Sequence, residues 1–152
     1  MIAYPDTSFL FAIYVNQSSS PAAAAHAAIM QEPLHVTALL EYEFRQGLRF
    51  QAWRHSANMG EGIAPPDVQT ALKRFEADLN GGVTLRMPCD FPEVCRRAEE
   101  LSTRHTMVNG HRSFDILHVA TALHLGAQEF LTFDRNQRKL AAAEKLKVNR
   151  LL

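Results

Sequence analysis

Four acidic residues stand where carboxylates could do chemistry. Asp6 follows the short apolar run Ile2–Tyr4, and Glu43 lies inside a long helical pattern. Asp115 opens a second helical pattern, and Asp134 follows the run Glu129–Phe133. Aspartate is seldom fully buried without a partner, so carboxylates at the ends of buried elements are either caps and turn residues or ligands. Taken singly, each has the plain explanation. Asp6 can cap a helix, Asp115 suits a first helical turn, Asp134 can sit in a turn with Arg135 and Asn136, and Glu43 can snorkel. Taken together with the hydroxyls of Thr7 and Ser8, they make a hard-oxygen donor set. Mg²⁺ and Mn²⁺ suit such donors, and an ion held there activates water and clamps the oxygens of a phosphodiester.

The elements that must position these residues alternate between strand and helix. Short strands are expected at Ile2–Tyr4, Leu34–Val36, Val83–Met87 and Glu129–Phe133, with a last one in KVNRLL (Lys147–Leu152). Helices are expected after Asp6 over Phe9–Val15, over Pro21–Gln31, over Ala38–His55 with Thr37 as cap, and over Asp67–Gly82. Three more are expected: Asp90–His105, Phe114–Gly126 capped by Ser113, and Asn136–Lys145. Asn58–Pro66 reads as a turn-rich connection and Thr106–His111 as a loop. Such alternation predicts an α/β domain with a mainly parallel central sheet. In that architecture ligands bind beyond the carboxyl ends of the strands, which places Asp6 and Asp134 on one rim.

The long helix offers two glutamates. At about 100° per residue, Glu41 lies nearer the face marked by Arg45, Gln46 and Arg49 and can pair with Arg45 four residues on. Glu43 projects between Leu40 and Phe50, towards the apolar side. An inward carboxylate needs a partner, so Glu43 is preferred.

Composition narrows the function classes. The chain has 152 residues, 47% hydrophobic and 21% charged, with a formal net charge of zero. That suits one domain and argues against gripping nucleic acid by bulk positive charge, while leaving room for a local basic patch. The two cysteines, Cys89 and Cys95, make neither a CxxC pair nor a disulfide framework and are expected as buried thiols. The N-terminus lacks a signal-peptide pattern, and Phe9–Val15 is too short to span a bilayer, so a cytoplasmic protein without membrane association is expected. The histidines form no HExxH and no Cys/His cluster. His118 and His124 lie six apart on one helix and read as core or surface residues. Trp53 and the phenylalanines read as core or interface.

At the acidic residues the sequence resembles the PIN-domain family, and within it the VapC-type toxins of toxin–antitoxin modules. The matching pieces are DTSFL at Asp6–Leu10, TALLEYEFRQGL at Thr37–Leu48, FDILHVATALHLGA at Phe114–Ala127 and FLTFDRNQRKLA at Phe130–Ala141. Each piece is weak alone; their order and spacing together are specific. The resemblance implies a single three-layer α/β/α PIN-like domain over residues 1–152. It implies an Mg²⁺- or Mn²⁺-dependent endoribonuclease with Asp6, Glu43, Asp115 and Asp134 as catalytic metal ligands. Thr7, Ser8 and Asn136 are then neighbours of the ligands, and Arg112 and Arg135 are candidates to hold RNA. A homodimer and a cognate VapB-type antitoxin are also implied.

Rival functions lack their residues. A haloacid-dehalogenase-like phosphatase needs a second aspartate two positions after the first, and Ser8 stands there. Neither GxGxxG nor GxxxxGK[ST] occurs, so no glycine loop cradles phosphate. A PIN-like domain that binds RNA or protein without cutting keeps the fold, but crowded like charges are costly without a cation.

Overall fold

The computed structural model describes residues 1–58 and 60–149. Among the described residues five short strands carry the sheet: β1 (Ala3–Pro5), β2 (Leu34–Val36), β3 (Thr84–Arg86), β4 (Glu129–Leu131) and β5 (Lys147–Val148). All their ladders are parallel. Hydrogen bonds join β1, β4 and β5 in one set and β2 and β3 in another. β2 lies against the other side of β1, so the strands line up as β3-β2-β1-β4-β5. Every residue of β1, β2 and β4 is buried. Both faces of these strands are therefore covered, and even the polar His35 of β2 and Glu129 of β4 are buried.

Two groups of helices flank the sheet. One comprises α1 (Thr7–Tyr14), α2 (Ser20–Ile29), α3 (Ala38–Ala57) and α4 (Pro65–Gly81). The other comprises α5 (Phe91–Asn109), α6 (Ser113–His124) and α7 (Arg135–Ala143). The result is the expected three-layer α/β/α arrangement with a parallel sheet.

Phe44 anchors α3 to its neighbours. Its ring meets Phe11 at 5.3 Å, Tyr14 at 5.6 Å and Phe75 at 5.0 Å. Halfway along the same helix, Gly47 lets the Phe11 ring close in, since a Cβ there would lie 3.1 Å from it. The aromatic cluster and this close approach set the depth at which α3 lies, and with it the position of Glu43.

Several expectations need correction. Thr106–Asn109 is the last turn of α5, not a loop, and the helix ends where Gly110 takes a φ of 67°. Met107 and Val108 are exposed there, so no apolar period announced the extra turn. Ser113 is the first residue of α6 and not its cap; Arg112 takes the cap position without a side-chain hydrogen bond. Thr37 occupies the cap position of α3, yet its hydroxyl bonds to Tyr4 Oη at 3.2 Å and not to the helix. Cys89 is half-buried and Cys95 exposed, both free. Trp53 and Phe50 stack on each other on the outside of α3, 62% and 50% exposed, and are not core. Of the expected last strand, Lys147–Val148 forms β5 while residues 150–152 lie outside the described ones, as does Met59 of the turn-rich connection.

Phe44→Ala is expected to lower the unfolding free energy by about 3–5 kcal/mol, the usual cost of emptying a buried aromatic site. Urea denaturation measures it. A loss under about 1 kcal/mol would show that the aromatic cluster does not brace α3.

Candidate active site

Because the strands are parallel, β1, β2 and β4 deliver their carboxyl ends to one rim. The chain leaves β1 directly into Asp6, whose backbone N–H still bonds to Leu131 across the ladder at 2.9 Å. Asp6 is fully buried. Its Oδ1 accepts from Ser8 Oγ at 2.6 Å and from the Phe9 N–H at 2.9 Å, the latter capping α1. Its Oδ2 accepts from Thr132 Oγ1 at 2.6 Å. A carboxylate has about four acceptor sites, so one remains. Burial pushes the Asp6 pKa up to about 6, against the pull of the Ser8 and Thr132 hydroxyls.

Thr132 joins two of the acids. The hydroxyl that donates to Asp6 accepts the Asp134 N–H at 2.9 Å. Asp134 in turn caps α7, with Oδ1 accepting from the Asn136 and Gln137 N–H groups at 2.8 and 2.9 Å. Its Oδ2 faces Arg112 at 3.9 Å.

Glu43 points from α3 into the rim, and its Oε2 is held twice. The Thr7 hydroxyl donates to it, and His118 Nε2 lies 2.5 Å away. Burial alone would raise its pKa, but the His118 contact and the Thr7 hydrogen bond, helped by the Arg112 charge, hold it below the ordinary carboxylate range. Asp115, in the first turn of α6, is buried and accepts from Arg112 Nε at 3.2 Å.

The four predicted acids therefore share one rim, but not as a closed cage. Among the described residues no three His, Cys, Asp or Glu side chains converge on one point as metal ligands would. Asp115 and Asp134 instead surround the Arg112 guanidinium, whose side chain is 79% exposed. The rim thus draws a cation, and its free donors are carboxylate oxygens. That chemistry fits a hard divalent ion, with Arg112 standing where positive charge is wanted.

The supporting residues divide. Thr7 contacts Glu43 and Ser8 contacts Asp6. Asn136 serves Asp134 with its backbone N–H and not its side chain. Arg135 is exposed beside the rim. Arg45 is committed to Glu76 at 2.7 Å and Glu41 at 3.5 Å, and Glu41 also holds Arg86 at 2.9 Å. Glu41 thus faces an ion-pair network, as its helical position implied. Glu43, expected to project towards the apolar side near Phe50, looks instead into the rim, and Phe50 is exposed. Sequence reasoning missed Thr132 and His118. The signal for both was present, a hydroxyl two residues before Asp134 and a histidine one turn after Asp115.

A PIN domain family model matches residues 3–143. The chain belongs to the PIN domain family. No curated protein matches it in sequence. Its fold is similar to that of VapC20 from Mycobacterium tuberculosis, a sarcin-ricin loop cleaving toxin, with a TM-score of 0.67 and 17% identity over 97% of this chain and 99% of that one. It is also similar to FitAcB from Neisseria gonorrhoeae, with a TM-score of 0.64 and 15% identity over 98% and 97% of the two chains. A third similar structure is VapBC2 from Rickettsia felis bound to a DNA fragment from their promoter, with a TM-score of 0.64 and 13% identity over 98% of each. No helix among the described residues of this PIN domain is long and apolar enough to cross a membrane.

The Asp6 environment has a consequence for metal-free protein. A folded pKa of about 6, raised by burial above the ordinary aspartate range, means the folded state holds the Asp6 proton more tightly than the unfolded state. That contribution to stability is complete below pH 4 and lost as pH rises through 6. Asp6→Asn should therefore stabilise the metal-free protein at pH 8, by up to roughly 3 kcal/mol, with the advantage shrinking towards pH 4. Urea midpoints of parent and variant in EDTA across that range test it; a variant equally or less stable at pH 8 contradicts the argument.

Proposed function

We propose that this PIN domain is an Mg²⁺- or Mn²⁺-dependent endoribonuclease, the toxin of a VapBC-type toxin–antitoxin module. The observation that carries the reading is the placing of Asp6, Glu43, Asp115 and Asp134, from four separate segments, on one rim, where Asp115 and Asp134 flank the exposed Arg112 guanidinium. Like charges gathered in this way are costly unless a cation offsets them. These four carboxylates would hold the ion or ions. When bound, a divalent ion supplies an activated water and offsets the charge that develops on the phosphodiester.

The chain's own residues do the rest. Thr7 holds one oxygen of Glu43, so that the other faces the cleft. Ser8 and Thr132 hold Asp6 rigid beneath it. The helix cap that uses Asp134 Oδ1 leaves Oδ2 turned to the rim. Arg112 and Arg135 stand at the edge, where RNA phosphates would otherwise be repelled by the acids. The Arg112 side chain is itself exposed and its pair with Asp134 is long, at 3.9 Å, and so weak and easily exchanged, which leaves N–H groups of the guanidinium available to a phosphate.

The similar folds that are themselves toxins, or are described together with a partner and promoter DNA, support a cognate VapB-type antitoxin that covers the acidic rim. A homodimer and a cytoplasmic location belong to the same reading.

The test is incubation of total cellular RNA with purified, antitoxin-free protein in Mn²⁺, Mg²⁺ or EDTA. Discrete fragments should appear with metal and vanish with EDTA, and Asp6→Asn, Glu43→Gln or Asp134→Asn should each lower the rate at least about 100-fold. Absence of metal-dependent cleavage under all these conditions would favour a PIN-like domain that binds RNA or protein without cutting. Arg112→Ala should weaken RNA binding across sequences and reduce the salt dependence by about one phosphate contact. Filter binding of the Asp6→Asn protein at several salt concentrations reads this out.

A further inference from the structure

We infer that His118 is a positioning residue for Glu43, fixing which carboxylate oxygen faces the cleft. The inference rests on the metal reading of the rim, and it assigns a task to a histidine that the acidic pattern does not include.

The geometry is a chain of contacts across three elements, α3, α6 and β1. His118 is 1% exposed, on α6, one turn beyond Asp115. Its Nε2 meets Glu43 Oε2 on α3 at 2.5 Å. Its Nδ1 faces Tyr4 Oη on β1 at 3.4 Å, and Tyr4 Oη bonds to Thr37 Oγ1 at the start of α3. Tyr4 is itself fully buried. A carboxylate only accepts, so the proton between His118 and Glu43 sits on Nε2. The imidazole cannot turn away, because its ring packs against Tyr4 at 6.3 Å and Phe114 at 6.4 Å. Thr7 donates to the same Oε2. Two donors converge on that oxygen, which leaves Oε1 as the oxygen free to ligate.

The spacing has a structural logic. Asp115 and His118 stand three apart and share a face of α6, from which Asp115 meets Arg112 and His118 reaches Glu43 of α3. One helix thereby carries a ligand and, one turn deeper, the donor that orients a ligand of another helix. Residues that orient metal ligands typically account for 10–100-fold in metal affinity. A histidine that merely filled the core would account for none of it.

The experiment measures Mn²⁺ affinity by calorimetry for full-length parent, His118→Leu, His118→Gln, Glu43→Gln and the Glu43→Gln/His118→Leu pair, with thermal melts as a folding control. His118→Leu should weaken Mn²⁺ binding about 10–100-fold, and His118→Gln, which keeps an N–H donor, should recover most of the loss. In the Glu43→Gln background His118→Leu should change affinity less than about 2-fold, because the group it orients is already altered. Equal affinity of His118→Leu and parent, or an equal loss in both backgrounds, overturns the proposal. A second readout needs no metal. In the metal-free parent, nitrogen-15 NMR should show the His118 ring protonated at Nε2, with a slowly exchanging proton whose resonance moves in Glu43→Gln. A ring protonated only at Nδ1, or a resonance indifferent to Glu43→Gln, also overturns the proposal. A parent that binds no Mn²⁺ but shows the Nε2 proton coupled to Glu43 would sink the metal reading and leave the positioning contact standing.

Discussion

Electrostatic repulsion among carboxylates at the ends of parallel strands is the constraint on which the rest of this structure depends. Asp6, Glu43, Asp115 and Asp134 share one rim, and each is tied down by donors before any ion is considered. Asp6 takes three, from Ser8, Thr132 and the Phe9 N–H. Glu43 takes Thr7 and His118. Asp115 and Asp134 take one exposed arginine between them. Buried polar groups are costly only when unpaired, so this supply of donors makes a cluster of acids compatible with a stable fold. Much of the polar sequence near the rim is explained by it.

The donors differ in depth, and the difference has a functional sense. Those beneath the rim are short side chains and backbone N–H groups on rigid elements, and they leave little rotational freedom. The donor above it is a long, solvent-exposed side chain. A site built this way holds its carboxylates still from below and keeps its upper face exchangeable, which is what the proposed ion and polyanionic substrate would need.

The sheet supplies the rigidity. β1 and β4 pair in register from Ala3 against Glu129 to Pro5 against Leu131, and the Asp6 N–H continues the ladder to Leu131. Asp6 and Thr132 are thus neighbours because their strands are. On the other side, Phe44 and its aromatic partners fix α3, and Glu43 follows from the depth of that helix. The PIN architecture acts here as a device for bringing the exits of two strands, the first turn of α6 and the second turn of α3 to one rim.

Much of this was legible in the amino-acid sequence alone. Strand and helix alternation, the parallel sheet and the rim location of Asp6 and Asp134 follow from apolar runs, capping residues and a general rule of α/β sheets. Those signals are local, and local chemistry determines them. The exposed end of α5 was not legible, because Met107 and Val108 face solvent and carry no burial period. The pairing of His118 with Glu43 was not legible either. They are 75 residues apart, and a buried histidine in an apolar helix looks the same whether it fills space or holds a ligand. Only the tertiary structure brings His118 Nε2 to Glu43 Oε2 at the rim. The same holds for Thr132 and Arg112: the sequence determines that a hydroxyl and a cation lie near the acids, and the packing of strand ends determines which acid each one serves.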